Sequence, residues 1–485
     1  MMKNAAVKGA PPNESDNSPG DRQTLWASVT FGAALIVSII TWRCLFADGS
    51  YYFLRVLQAG TFTEMLVPRS YAAYLFQLPV VIAMKLGVVQ LHWLAVAFGI
   101  GCLSSWPVAL WLCHQMAPRR FWLVMLACAA GYLNAAFMAV GEHIVAHAFF
   151  WPALFAILFV RPLTPRAALY LLASALILTH SYESLLFLGP PLVILIVWRL
   201  GTSGEKFWQR LVLAIAASLF VAATWIALEA VRHPTNAATL GGFKRGIFTV
   251  LMTPAWTLQM SYFIGILFLL LKYPKVEALL MRSAGLVILV PAVLLWGLWP
   301  VLAPGNLEPA SQYDSRFLDL LVPLLLMPLA WVFSVKPDFL ADKQRAMVRL
   351  SAAMLVAQSV WHISAAYEWN GYIHLWQHLL ATEKGPVLLS KFYGGVSEEH
   401  GQAMSLDWHW ANPTLSIMVG PNKVQALILP GMRTAWEPFD PMKPESFPHL
   451  ERYGIDYTAY VNSLPSKNSV KPDSGPMRGQ TERQN

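Results

Sequence analysis

Long apolar runs follow one another through most of this chain and restrict what it can fold into. Many of them are roughly 18 to 22 residues long, enough to cross the ~30 Å hydrocarbon core of a bilayer. Of the 485 residues, 56% are hydrophobic and only 13% are charged, whereas a soluble domain carries about 25% charged residues. The sequence therefore predicts an all-α polytopic membrane protein.

The basic residues predict which connections face the cytoplasm, because cytoplasmic loops are enriched in Lys and Arg. After a first span at about 25–46, further spans are predicted at about 93–115, 121–140, 147–160, 167–180, 184–198, 211–231, 256–271, 283–302, 317–335 and 346–366. Alternate connections are basic and fall on one side: Arg119-Arg120; Arg161 and Arg166; Arg199, Lys206 and Arg210; Lys272, Lys275 and Arg282; Lys336, Lys343, Arg345 and Arg349. We expect about 11 transmembrane helices.

Residues 49–92 decide the topology. If the basic amino-terminal tail is cytoplasmic, this stretch contains no complete crossing, and residues 71–90 form a re-entrant or surface-lying helix beside an interfacial helix within 49–70. In the alternative, residues 71–90 are a true span, and the tail and Asp48 exchange sides. The preferred interpretation places Asp48 at the periplasmic or exterior face of the cell (inner or plasma) membrane.

Composition divides the chain into four parts. Residues 1–24 are predicted to be a disordered cytoplasmic tail, residues 25–366 a transmembrane domain whose first periplasmic loop is 48–92, residues 367–464 a small α+β periplasmic domain, and residues 465–485 a second disordered tail. In the carboxy-terminal domain we expect a helix at about 370–382 and short strands at 414–418 and 424–429.

Asp48 is a lone carboxylate where the first span leaves the bilayer. A carboxylate at that depth is costly unless something uses it or pairs with it, so Asp48 is a candidate functional residue. The simpler alternative is that Asp48 caps the next helix, since Asp is a preferred capping residue.

Other connections predicted on the same side as Asp48 also carry polar groups: Glu142, His143 and His147; His180 and Glu183; Tyr313, Asp314 and Arg316. Each group has a simpler interpretation. His143 and His147, four residues apart, could ligate a divalent metal or could be interfacial polar groups. His180 and Glu183 could hydrogen-bond each other, and Arg316 could be an interfacial anchor.

Several classes of partner and cofactor are not expected. The net charge of +8 comes from short loops between spans, so no nucleic-acid surface is predicted. The four cysteines lie in or beside apolar spans without paired spacing, and they are interpreted as small apolar residues. No cofactor is predicted, and a metal at His143 and His147 remains the less favoured alternative.

A family resemblance connects these residues. Asp48 is followed by Tyr51-Tyr52, then by a helix starting near Pro68-Arg69-Ser70 and running to Lys85-Leu86-Gly87, and later by Arg316-Phe317-Leu318 with Pro323 and Pro328. This order resembles the GT-C class of integral-membrane glycosyltransferases, which includes protein O-mannosyltransferases and the aminoarabinose transferases of lipid A. The resemblance covers about the first 115 residues and the stretch 310–335.

The resemblance implies a catalytic carboxylate in the first outer loop. Many members have two adjacent acidic residues there, whereas Gly49 follows Asp48 in this chain. A second carboxylate must then come from Glu142, Glu183 or Asp314. The implied fold has surface-lying helices in the first outer loop.

The chemistry implied is transfer of a sugar from a polyprenyl-phosphate donor in the membrane lipid to an unknown glycan, lipid or protein acceptor. Asp48 would be the general base of an inverting reaction, and Arg316 or Arg69 would bind the donor phosphate. The residues expected to bind substrate are Tyr51, Tyr52, Glu142, His143, His180, Glu183, Tyr313 and Asp314.

Two other functions remain open. A transporter or flippase for a lipid-linked or small polar solute should place ionisable residues within its spans, often in repeated halves. The predicted spans are nearly free of such residues and no repeat is visible, which favours an enzyme that works at one membrane face. An enzyme similar to an O-antigen ligase or polymerase stays as a further alternative.

Overall fold

A computed structural model describes residues 19–64, 66–133, 141–202, 204–234, 311–339, 343–388, 411–429, 450–456 and 458–463, with isolated positions between 261 and 275. The described part is mostly helical. The predicted tail at 465–485 and the predicted spans at 256–271 and 283–302 lie wholly or almost wholly outside it, and so do residues 1–18. Residues 19–24 were predicted to belong to the disordered tail, which was wrong, because they form the start of a helix.

The described helices are numbered here in chain order. They are α1 Pro19–Ile40, α2 Asp48–Ala59, α3 Ser70–Lys85, α4 Leu91–Leu103, α5 Ser105–Met116, α6 Phe121–Ala127, α7 Glu142–Phe159, α8 Pro165–Thr179, α9 Leu185–Thr202, α10 Phe207–Arg232, α11 Ser311–Val335, α12 Gln344–Thr382, α13 Asn412–Val419 and α14 Thr458–Ser463. Short 3₁₀ turns at Arg43–Leu45 and Val67–Arg69 precede α2 and α3, and α6 continues as a π-helix over Cys128–Tyr132.

Five helices in the described part are long and apolar enough to cross a membrane: Gln23–Ile40 within α1, α7, α9, α10 and α12. The pair α4 and α5, bent by 43°, makes a sixth if it is one span. The shorter apolar helices are α8 and Asp319–Val335 within α11. The described residues are therefore compatible with an all-α membrane protein, and the larger number of spans stays a prediction.

The stretch predicted to be re-entrant or surface-lying forms α3, which has 16 residues. At 1.5 Å per residue it is roughly 24 Å long, shorter than a ~30 Å hydrocarbon core. It lies close against α4, since a Cβ on Gly101 would be 1.9 Å from the Phe76 carbonyl oxygen. Glycine at 101 is what allows these two backbones to approach.

Helix α7 lies at the centre of the bundle and contacts α5, α8, α9 and α11. It begins at Glu142, five residues before the predicted span at 147–160. His143 and His147 are consequently buried inside a helix, and the expectation that they belong to a connection was wrong. The end of the central helix at Glu142 is therefore polar, and we call it the outer end after the membrane side predicted for it.

Helix α12 has 39 residues and is roughly 58 Å long, far more than a bilayer requires. Its first part packs in the bundle core with α5 to α11, whereas residues from Trp361 to Leu380 join a second apolar core. The helix predicted at 370–382 is present, but as an unbroken continuation of the span predicted at 346–366. One rigid element therefore links the bundle to the carboxy-terminal residues.

The second apolar core joins α2, α3 and α4 to the carboxy-terminal residues. There Gly385–Leu388 (β1) and Ala426–Leu429 (β2) form a parallel pair, which confirms a strand within 424–429. The strand predicted at 414–418 was wrong, because these residues lie in α13. All eight residues of α13 are buried, so no polar face was available to reveal a helical period.

Candidate functional site

Asp48 is the first residue of α2 and is partly buried. The capping position is held by Ala47, whose side chain makes no cap. Asp48 therefore does not cap α2 as an N-cap residue, although its charge is favourable in the first turn of the helix. Ala47 has φ 52° and ψ −128°, a region that residues with a Cβ rarely adopt and that is often found next to functional residues.

Tyr52 lies one helical turn after Asp48 and connects it to the central helix. Its hydroxyl donates a hydrogen bond to Glu142 Oε1 at 3.0 Å. Burial, then the charges of Glu142 and Asp48, raise the pKa of Tyr52 well above its usual value. Tyr52 therefore keeps its proton and donates it in the hydrogen bond to Glu142.

Arg69, at the start of α3, holds two carboxylates from different elements. Its Nε and Nη2 donate to Glu183 Oε1 at 2.9 and 2.7 Å, and its Nη1 lies 3.6 Å from Glu142 Oε2. The guanidinium also covers the Tyr182 ring at 4.8 Å. Burial lowers the pKa of Arg69, but Glu183 and Glu142 outweigh that effect and the net shift is upward. The arginine stays charged.

We call Asp48, Tyr52, Arg69, Glu142 and Glu183 the outer cluster. Three of its members are carboxylates from separate segments, and two of these, Glu142 and Glu183, share the Arg69 guanidinium. Such an arrangement favours accepting a proton from a hydroxyl group. A phosphate brought to this cluster would need a further cation.

Beneath the outer cluster lies a second polar layer inside the bundle. His143 Nε2 is 3.9 Å from Asp319 Oδ2, and both side chains are almost fully buried. The Tyr182 ring lies 5.6 Å from the His143 ring and 6.5 Å from the His147 ring. Polar contact therefore extends from the outer end of α7 into the interior of the bundle.

Asp319 was missed by the sequence reasoning, which placed it in an apolar span at 317–335. It is 2% exposed, and a Cβ on Gly131 of the π-helix would be only 3.2 Å from its Oδ1. The signal was a single carboxylate within an apolar span, which is costly in lipid and marks a functional candidate. Its position three residues after Arg316, on the same face of a helix, was a second signal.

His180 connects two outer loops. Its Nδ1 lies 3.1 Å from the Val67 carbonyl oxygen, and its own carbonyl accepts from the Tyr71 backbone N at 3.0 Å. Glu183 bonds to Arg69, and no His180–Glu183 hydrogen bond is found among the described residues.

Tyr51 lies beside Tyr52, with 6.0 Å between the centroids of the two rings.

Tyr313, Asp314 and Arg316 lie in the first turns of α11. Their side chains are outside the described part of the molecule. Their predicted roles in binding donor and acceptor therefore remain predictions.

The described residues offer no group of three His, Cys, Asp or Glu side chains that could hold a metal ion. The His143 and His147 rings are 6.5 Å apart, and no third ligand joins them within the described part. The alternative of a metal site at these two residues gains no support there.

The carboxy-terminal residues contact the helix that carries Asp48. Thr414 of α13 is hydrogen-bonded to Ser50, two residues after Asp48, with 2.8 Å between the hydroxyl oxygens. This contact could not be predicted, because it joins positions 364 residues apart.

Comparisons of the whole chain with protein-family models, with curated proteins and with solved structures give no match.

Proposed function

We propose that this protein is a membrane glycosyltransferase that moves a sugar from a polyprenyl-phosphate donor to an acceptor at the outer membrane face. One observation carries the proposal: Asp48, Tyr52, Glu142, Arg69 and Glu183, from four separate chain segments, meet at the outer end of the central helix. The GT-C resemblance of the first loop supplies the reaction class.

In the proposed step, the acceptor hydroxyl oxygen attacks the anomeric carbon of the sugar. The bond from that carbon to the phosphate oxygen breaks, the phosphate leaves with the electron pair, and Asp48 takes the hydroxyl proton. In-line attack inverts the anomeric centre. The lipid phosphate is a good leaving group, so no general acid is required.

The described contacts of Arg69 favour a different role from phosphate binding. Its side chain is 9% exposed and already pairs with Glu183 and Glu142, so we assign it to holding these carboxylates. The donor phosphate is assigned to Arg316, which precedes an apolar stretch of α11 and whose planar guanidinium suits phosphate oxygens. Glu142, bonded to Tyr52, is the proposed second carboxylate.

A lipid-linked donor suits a site at the end of an apolar bundle. The polyprenyl chain can stay in the bilayer while its phosphate reaches the polar layer, where nucleotide sugars are absent. The apolar exposed residues of α3, including Leu78 and Ile82, are proposed to face that chain.

The transporter alternative keeps one supporting observation. His143 and Asp319 are ionisable and almost fully buried within helices, which is typical of transport pathways and relays. A transporter requires that the solute cross the membrane unchanged. Product analysis therefore separates the two functions.

The test uses the purified protein in liposomes with polyprenyl-phosphate sugars that carry a labelled sugar, and with cell-envelope extract as acceptor. Free polyprenyl phosphate is measured, because it is released whatever the acceptor. We expect Asp48→Asn to reduce release at least about 10³-fold, the range for loss of a general base together with its electrostatic role.

Glu64→Gln is the matched control, since Glu64 is an exposed carboxylate in the same loop. We expect it to retain wild-type release. Full activity of Asp48→Asn would refute the proposed role of Asp48. A Glu64→Cys variant that is labelled only from the cytoplasmic side would refute the assigned membrane face.

A further inference from the structure

The carboxy-terminal residues contact α2 at both of its ends. At the first end, the Thr414 and Ser50 hydroxyl oxygens are 2.8 Å apart and both side chains are fully buried. The Thr414 hydroxyl also donates to the Ala411 carbonyl oxygen at 2.7 Å. A polar bridge therefore joins α13 to the helical turn that carries Asp48.

At the other end, Arg452 and Tyr453 reach the last turn of α2. The Arg452 guanidinium donates to the Leu57 carbonyl oxygen, and the Tyr453 hydroxyl donates to the same oxygen at 3.3 Å. The carbonyls of the last helical turn have no partner within their own helix. Gly60, at φ 66°, leaves room for this contact, because a Cβ there would be 2.8 Å from Arg452 Nη1.

The first end also contains the strained residue before Asp48. Because the Thr414 proton goes to Ala411, Ser50 donates to Thr414. Ser50 Oγ also lies 3.2 Å from the Ala47 carbonyl oxygen, so the hydroxyl that meets Thr414 is also next to Ala47. Strained backbone persists only where its surroundings hold it. Helix α2 has 12 residues, a length at which an isolated helix is marginal in water.

From these contacts we infer that α13 and residues 450–456 position α2, so that Thr414 sets the orientation of the Asp48 carboxylate through Ser50 and Ala47. Thr414 is a positioning residue and does not touch substrate. The inference rests on the proposed function, because it takes Asp48 as the general base. It gives the carboxy-terminal residues a role in turnover rather than in acceptor binding.

The experiment compares Thr414→Val, which removes the hydroxyl at nearly constant volume, with Thr414→Ser, which keeps it. Hydrogen exchange of the α2 amides is measured in the full-length protein in lipid nanodiscs. We expect the amides from Ser50 to Val56 to exchange about tenfold faster in Thr414→Val, since local opening follows the lost hydrogen bond. Thr414→Ser should exchange like the wild type.

In the transfer assay we expect kcat of Thr414→Val to fall about tenfold or more with KM within about twofold, because misplacement of a catalytic group affects the chemical step. Thr414→Ser should restore kcat. Ser416→Ala is the matched control: its hydroxyl lies in the same helix but bonds to Asn412 and to the Ile428 backbone N. It should leave the exchange of α2 unchanged.

Thr414 is fully buried, so a substitution there can also destabilise the fold as a whole. The second variant is therefore Arg452→Ala, at an exposed position. We expect exchange at the carboxy-terminal end of α2 to rise about threefold, as for one weakened hydrogen bond. Wild-type exchange of α2 in both variants would overturn the inference.

Faster exchange with wild-type kcat would also overturn the positioning role, and so would a rise in KM alone, which would indicate acceptor binding. Failure of the proposed function would give a different result. Asp48→Asn would then be fully active, whether or not the Thr414 variants change the exchange of α2.

Discussion

The two ends of α7 each hold a buried arginine paired with glutamate, but the two arrangements differ. At the inner end, Arg199 donates to the carbonyl oxygens of Ala156, Ile157 and Val160 at 2.7 to 2.8 Å and to Glu205 Oε1 from its Nε at 2.9 Å. These carbonyls belong to the last turn of the helix and to Val160, the residue that follows it, and they need donors. Arg199 is therefore a helix cap whose hydrogen bonds are satisfied within the protein.

At the outer end, Arg69 is shared by Glu183 and Glu142, and Tyr52 and Asp48 add to the same cluster. This end brings together carboxylates from three separate segments, one of which, Asp48, is partly exposed. A buried arginine–glutamate pair therefore does not by itself indicate function. What distinguishes the outer end is that one arginine is shared by two carboxylates beside a partly exposed third, Asp48.

The largest effect on stability is expected at the inner end. Arg199→Met would leave the Glu205 carboxylate buried without its partner and three carbonyls without donors, at a cost of about 3 to 5 kcal/mol. Thermal unfolding in detergent would measure the loss. The double variant with Glu205→Met should be more stable than the single variant, and exposed Arg166→Ala should be neutral. A stable Arg199→Met protein would contradict the capping role.

A smaller effect on stability but a large effect on activity is expected at the outer end. Arg69→Met leaves two neighbouring carboxylates uncompensated, so we expect turnover to fall at least about 100-fold, the usual cost of misplacing a catalytic group. Arg69→Lys keeps the charge but loses the planar fork.

We therefore expect Arg69→Lys to unfold close to the wild-type temperature while its turnover stays reduced. Unfolding temperature and polyprenyl phosphate release are measured on the same preparations. If Arg69→Met were fully active, the two ends of α7 would be equivalent structural pairs and the functional distinction would be lost.

The smallest effect is expected for Tyr52→Phe, through the alkaline dependence of stability. The pKa of Tyr52 is raised in the folded protein, mainly by burial, so above about pH 10 the unfolded chain loses this proton while the folded protein keeps it. The wild type should therefore lose stability as the pH rises beyond that value.

Tyr52→Phe should lose less stability over the same alkaline range, although it is less stable near neutral pH by about 1.5 to 3 kcal/mol for the lost bond to a carboxylate. Chemical denaturation in detergent at several pH values measures both effects. Equal alkaline slopes for the two proteins would contradict the buried, protonated state of Tyr52.

Part of the outer cluster could be predicted from the sequence. The lack of basic residues in the connections near Glu142 and Glu183 placed both glutamates on the side of Asp48, and they do meet through Tyr52 and Arg69. The opposite position of Arg199, at the other end of α7, agrees with the alternation of basic loops. The charge asymmetry of the loops can be predicted from the sequence, because it depends only on the residues within each loop.

Other features could not be predicted. Asp319 lay within an apolar span, and His143 and His147 were placed in a connection that turned out to be the start of α7. The residues at 414–418 have an apolar pattern that is compatible with either a strand or a buried helix, and burial on all sides decides for α13. An apolar pattern along the sequence distinguishes a helix from a strand only where one face of the element is polar.

By itself the sequence determined the class of the protein, since runs of about 20 apolar residues can be solvated only by lipid or by one another. It also placed Glu142 and Glu183 on the same side as Asp48. Only the tertiary structure decided that Arg69 pairs with Glu183 and Glu142, that Tyr52 bonds to Glu142, and that Thr414 bonds to Ser50 of α2. These contacts depend on distances between segments up to 364 positions apart, and such distances are set by how the helices pack together.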